Sequence, residues 1–123
     1  MEDLSEDPGS GRLLAATLAS GKPLALVCHG PAALLSTIDQ TGQSPFSGYR
    51  MTGMSNTEET LGGMADRAKW LLQDRLSKDL AADYREGPAF DAHIQVDRNL
   101  QTGQNPASAV PLARNVLKAL TKQ

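Results

Sequence analysis

Leu24-Ala25-Leu26-Val27-Cys28 is apolar at every position, without the polar alternation of a half-exposed strand, and is entered through Lys22-Pro23. Such a run predicts a strand covered on both faces, in the middle of a parallel sheet. Ahead of it, Asp7-Pro8 places a capping residue before a proline at the first helical position. Leu13, Leu14, Thr17 and Leu18 then recur on one face until Gly21, which predicts a helix over that span. Beyond the strand, Cys28-His29-Gly30 runs directly into Pro31, Ala32, Ala33, Leu34, Leu35 and Ile38, so strand, tight turn and a second helix follow with almost no loop. Thr41-Gly42-Gln43-Ser44-Pro45 reads as a loop, and a short segment near Tyr49 to Met54 leads to a Ser55-Asn56 cap before Glu58, Glu59 and Leu61. From Asp66 to about Ala82, the residues Trp70, Leu71, Leu72, Leu76 and Leu80 predict an amphipathic helix with Asp74, Arg75, Lys78 and Asp79 facing water. Ile94 and Val96, then Asp97-Arg98-Asn99, then Leu100 and Thr102 predict two short strands around a turn. A final helix, starting near Asn105-Pro106 or Ser108, carries Val110, Leu112, Val116, Leu117 and Leu120.

Composition narrows the classes this pattern can serve. With 123 residues, 40% hydrophobic and 21% charged, the chain has the make-up of one small globular domain. A net charge of -2 and scattered Lys and Arg residues supply no basic field for phosphates, so nucleic acid is not an expected partner. No apolar run reaches the roughly 18 to 20 residues needed to span a bilayer, and the acidic start Met1-Glu2-Asp3-Leu4 is unlike a signal peptide. A cytoplasmic protein without a membrane partner is expected. The single cysteine excludes an internal disulfide, and a metal site built from Cys28 and His93 would lack two nameable ligands. Neither a metal nor any other cofactor is expected.

What remains open for Cys28 is packing or chemistry. A residue on a strand-to-helix elbow takes a strained conformation that lifts its side chain out of the sheet, and the following helix turns its positive end towards it. The nucleophilic form of a cysteine is the thiolate, which helix amino termini and imidazolium groups favour. His29, next in sequence, has the chemistry of a general base and acid, provided that a carboxylate orients it. The alternative is that Cys28 is a small buried hydrophobe at a strand end, the commonest place for a free cysteine. Likewise, Glu58 and Glu59 are by spacing alone favourable charges in a first helical turn.

The stretch Leu26-Val27-Cys28-His29-Gly30-Pro31-Ala32-Ala33-Leu34 resembles the nucleophile motif of the class I glutamine amidotransferase-like superfamily. In the same order, Tyr49 to Glu59, Ala82-Asp83-Tyr84 and Leu100 to Ser108 resemble the blocks of its PfpI-like branch, which includes glyoxalase III and chaperone-type proteins. The resemblance covers nearly the whole chain. It implies an α/β fold, a three-layer sandwich with a mostly parallel, flavodoxin-like sheet, of which residues 1–123 form a partial domain with the amino-terminal portion missing. It also implies a triad of Cys28, His29 and Glu59, with Glu58 the second choice for the acid. His93 does not fit the amidotransferase triad, in which a distant histidine is followed two residues later by glutamate, because Gln95 stands there. Gln104-Asn105-Pro106 reads as a helix start that closes the site wall rather than as a catalytic amide.

The activity implied by the resemblance is cysteine-dependent, glutathione-independent conversion of a small 2-oxoaldehyde, methylglyoxal to lactate, or a related deglycase or hydrolase reaction. A chaperone-like or redox-sensing protein that does not use Cys28 in catalysis, or an inactive remnant, is the alternative. A homodimer is an assembly the resemblance allows. The absent portion would supply the first strands, an acid that contacts the nucleophile and an oxyanion hole. Because a strand apolar on both faces needs neighbours on both sides, this chain alone is expected to expose sheet edges. A truncated or mis-started reading frame, or a fragment needing a partner, is the corresponding expectation.

Overall fold

The computed structural model describes residues 1–121. A short helix α1 (Glu2–Glu6) precedes α2 (Pro8–Ser20), whose first amide, at Gly9, is capped by the Asp7 carboxylate and whose last turn is closed by Gly21 at φ 75°. The helix predicted between Asp7 and Gly21 is therefore present, but its buried face is different. Leu14 is buried and Leu18 packs against the core, while Leu13 is 69% exposed. Close contact comes instead from Gly11, where a Cβ would stand 2.9 Å from the Ser36 carbonyl carbon and closer still to its oxygen. There α2 lies backbone to backbone on the 3-10 helix Gly30–Thr37.

Strand β1 (Leu24–Val27) feeds that 3-10 helix. Next come β2 (Arg50–Met51), α3 (Asn56–Leu61), α4 (Leu72–Lys78), β3 (Asp83–Tyr84), β4 (Ile94–Asp97) and β5 (Leu100–Gly103). A 3-10 turn at Pro106–Ser108 then enters α5 (Ala109–Thr121). The helix predicted over 66–82 shrinks to α4, because Leu71 is extended and the fully buried i, i+4 stripe begins only at Leu72 and continues through Leu76 and Leu80.

The strands form two small sheets. One has the order β1-β5-β4, with β1 parallel to β5 from Leu24 opposite Leu100 to Val27 opposite Gly103, and β4 antiparallel to β5. The turn between β4 and β5 places Arg98 at φ 56°. Its neighbour Asn99 donates from Nδ2 to the carbonyls of Thr17, Leu18 and Lys22 at 3.3, 3.1 and 2.9 Å, satisfying the open end of α2. The second sheet pairs β2 with β3 in parallel. It is tied to the first by Arg50, which donates to Gln95 and to the Val96 carbonyl, and by the Thr52 amide on Thr102 Oγ1 at 2.9 Å. The result is a mixed α/β, flavodoxin-like arrangement with a mostly parallel sheet. Leu34, Phe46, Met51, Leu72, Leu76 and Leu100 are completely buried between helices and sheets.

The expectation for β1 is met only in part. Its leucines, Leu24 and Leu26, pack against the core, yet the strand lies at the end of its sheet rather than in the middle, and Ala25 is exposed. The Leu24 and Cys28 amides donate to the Asn99 and Gly103 carbonyls, so the peptide groups of Ala25 and Val27 point to the other edge, where no strand pairs among the described residues. Ala25 and Val27 line an apolar groove of about 510 Å³ with Ala109, Leu112, Ala113, Val116 and Leu117 of α5. Of the apolar residues on α5, Leu112 is buried, whereas Leu117 is 61% exposed.

Candidate active site

At the end of β1 the chain turns at Cys28 with φ 62°, a left-handed conformation rare for a residue with a side chain. Both peptide groups of the turn are anchored. The Cys28 amide donates to the Gly103 carbonyl and its carbonyl accepts from the Met54 amide, each at 2.9 Å. Gly53 lets the segment before α3 come this close, since a Cβ there would meet Leu72 at 3.0 Å and the Cys28 carbonyl and Pro31 at 3.3 Å. Its own carbonyl accepts from the Tyr84 hydroxyl at 2.6 Å. Burial, foremost, pushes the Tyr84 phenol well above its ordinary range, so it stays a donor.

His29 follows as the cap residue of the 3-10 helix and turns its ring between two partners. Nδ1 lies 3.6 Å from Cys28 Sγ, and Nε2 lies 3.0 Å from Glu59 Oε1. The contact with Cys28 and then the Glu59 carboxylate, against partial burial, raise the His29 pKa to about 9. At neutral pH the ring is therefore an imidazolium that donates from both nitrogens. Its side chain is 37% exposed, whereas that of Glu59 is only 4% exposed. A cavity of about 280 Å³ opens onto His29 and Glu59, with Met1, Met64, Arg67 and Ala68 as its other walls.

Glu59 reaches His29 because α3 begins in a fixed place. Ser55 caps it, with Oγ accepting from the Glu58 amide at 3.1 Å while Glu58 Oε1 accepts from the Ser55 amide at 3.0 Å. Consecutive helical residues point about 100° apart. Glu58 thus faces away from the histidine into the protein, where Gln104 and Asn105 donate to it. The structure brings Cys28, His29 and Glu59 together and leaves Glu58 out.

His93 stands apart from this group, with its Nε2 3.2 Å from both the Arg85 carbonyl oxygen and the Gln95 amide nitrogen. The helix start at Asn105-Pro106 is where the sequence places it, but the amide side chains do not cap it; they converge on Glu58. Nothing in local spacing signals that use, because the contacts cross 46 and 47 residues. Met64 and Arg67 are further residues lining the cavity that the sequence pattern does not mark.

No family model matches the chain. Among curated proteins, it is 31% identical to human glutamine amidotransferase-like class 1 domain-containing protein 1 over 95% of its own length and 53% of that protein. It is 36% identical to the glutathione-independent glyoxalase HSP31 of Saccharomyces cerevisiae, over 83% of the chain and 45% of the relative. Among solved structures, rapid encystment protein 24 kDa of Francisella tularensis superposes with a TM-score of 0.89 and 28% identity, over 96% of this chain and 52% of that one. Its homologues are proteins of the class I glutamine amidotransferase-like superfamily. Within the superfamily the likeness extends to Candida albicans glyoxalase III, which superposes with a TM-score of 0.78 and 28% identity over 89% of this chain and 48% of that one. The chain spans about half the length of the curated superfamily relatives it matches.

Proposed function

We propose that Cys28, His29 and Glu59 act as a nucleophile, an acid–base and an orienting carboxylate in glutathione-independent conversion of a small 2-oxoaldehyde, with methylglyoxal as the model substrate. The observation that supports this most directly is the unbroken line from Sγ through both imidazole nitrogens to a nearly buried carboxylate. Relatives named glyoxalase 3, glutathione-independent glyoxalase and deglycase support the reaction class.

The thiolate attacks the aldehyde carbon; as the S–C bond forms, the carbonyl electron pair moves to oxygen, which takes a proton from the His29 imidazolium. An acid near pKa 9 enters this step charged at neutral pH. The neutral imidazole then removes the hydrogen from the hemithioacetal carbon, giving an enediolate, and returns it to the neighbouring carbon while the hydroxyl proton of the first carbon passes to the oxygen of the second, leaving a lactoyl thioester. Water cleaves the thioester, releasing lactate and the free thiol. The sum is methylglyoxal plus water to lactate, with no outside oxidant. Glu59 accepts from Nε2 throughout and keeps Nδ1 towards sulfur. Lactate formation is expected to vanish in Cys28→Ala and to drop by about a hundredfold or more in Glu59→Gln, in the range of lost acid–base assistance. Undiminished lactate formation by Cys28→Ala contradicts the proposal.

A second reading rests on a different part of the molecule. The open edge of β1 and its apolar groove suit a chaperone-like protein that holds exposed strands of clients. That reading expects suppression of client aggregation to survive Cys28→Ala.

A further inference from the structure

Glu58 is 1% exposed, ionisable, and has no part in the chemistry described above. No cationic side chain pairs with its carboxylate among the described residues. It is held by donors drawn from separate parts of the chain: Oε1 accepts from the Ser55 amide and hydroxyl at 3.0 Å each and from Gln104 Nε2 at 2.9 Å, while Oε2 accepts from the Phe90 amide at 2.8 Å and Asn105 Nδ2 at 2.7 Å. Burial pushes its pKa up, but the bonds from Ser55, Asn105, Phe90 and Gln104 outweigh that and hold it below the ordinary carboxylate value. The bonds therefore fasten a charged group.

The partners matter because of what adjoins them. Gln104 and Asn105 directly follow Gly103, whose carbonyl accepts from the Cys28 amide. Ser55 opens α3, and Glu59 is the next residue after Glu58. From Cys28 the path runs to Gly103, through Gln104 and Asn105 to Glu58, on to Glu59, through His29 and back to Cys28. Within this ring, the Glu58 side chain joins the end of β5 to the start of α3. The same amides also clasp the loop before β4, with Gln104 holding Gly87 through its amide and carbonyl and Asn105 Nδ2 on the Asp91 carbonyl.

We infer that Glu58 is a positioning residue: its carboxylate fixes the start of α3 against the end of β5 and so keeps Glu59 in register with the His29 ring and the Cys28 elbow. This inference rests on the triad reading above. An amide cannot replace the carboxylate, because in Glu58→Gln either orientation of the new side chain sets an NH2 group against donors that now meet Oε1 or Oε2.

The test is an NMR titration of the His29 imidazole in the full chain, in a double-mutant cycle of Glu58→Gln and Glu59→Gln, with Trp70 fluorescence confirming that each variant is folded. Removing Glu59 is expected to bring the His29 pKa down from about 9 towards 6.5. Glu58→Gln is expected to lower it by about one unit, a tenfold weaker hold on the proton. In the Glu59→Gln background, Glu58→Gln should add nothing, since it acts through Glu59. A drop that persists in that background would mark a through-space charge effect and overturn the inference, as would a Glu58→Gln titration identical to that of the parent chain. If Glu59→Gln itself leaves His29 unmoved, the triad reading fails first. Should Glu58→Gln not fold, Asn105→Ala removes one donor and keeps the charge; it is expected to shift His29 the same way by a smaller amount, and no shift overturns the inference.

Discussion

Two neighbouring glutamates in α3 have opposite fates, and the difference is one of helix phase. Glu59 faces the solvent cavity and the His29 ring, whereas Glu58 faces inward to amide donors. The sequence marks both as first-turn carboxylates and cannot rank them by spacing, because their rotation is set by where α3 lands on the sheet. Only the family resemblance favours Glu59 for the acid, which is the residue found beside His29. The contacts of His29 with Cys28 and then with Glu59 predict a pH effect on stability. A histidine whose pKa rises on folding brings stability that is whole below its unfolded value near 6.5 and is lost as pH climbs through about 9. The melting temperature is expected to fall across that interval and then level off, and His29→Ala should remove this part of the slope. A melting profile that keeps its shape in His29→Ala would contradict the assignment.

Elements whose cause is local were legible in the sequence. Asp7, Pro8 and Gly21 bound α2 by capping, Ser55 opens α3 with a capping box, and Asp97 to Leu100 turn one strand into the next. Elements decided by distant partners were not. The apolar run over Trp70 to Leu72 suggests a longer helix, but burial selects only the stripe starting at Leu72. Nor does Gly11 advertise its role: amid a helical pattern it looks like a weak point, yet it is where α2 meets the Ser36 carbonyl. Gly11→Ala gains about 1 kcal/mol in helix propensity and must push apart two backbones, an overpacking cost of about 1 to 3 kcal/mol or more. Because the clash is with main chain, which cannot swing aside as a side chain can, the cost is expected to win. Denaturant unfolding should show net destabilisation, and a more stable Gly11→Ala would show that α2 is free to move.

For the molecule as a whole, the open edge of β1 is the main departure from the apolar pattern, which asks for cover on both faces. Among the described residues no strand pairs with that edge. Amide hydrogen exchange should report it directly: Ala25 and Val27 are expected to exchange about tenfold or more faster than Leu24 and Cys28, whose amides are paired with Asn99 and Gly103. Equal protection would mean that something covers the edge, and its dependence on protein concentration would tell whether that is a second copy.

The reach of Asn99 also has a consequence in time. Its side chain closes α2 by bonding to Thr17, 82 residues earlier, and the strand that begins beside it supplies the carbonyl that holds the Cys28 amide. A ribosome adding about 5 to 20 residues per second releases the early helix and the cysteine turn several seconds before their partners exist. The Cys28 turn is thus made well before the strand that seats it. Until then the thiol belongs to a flexible nascent chain, and maturation of the site is an event of completed synthesis rather than of local folding.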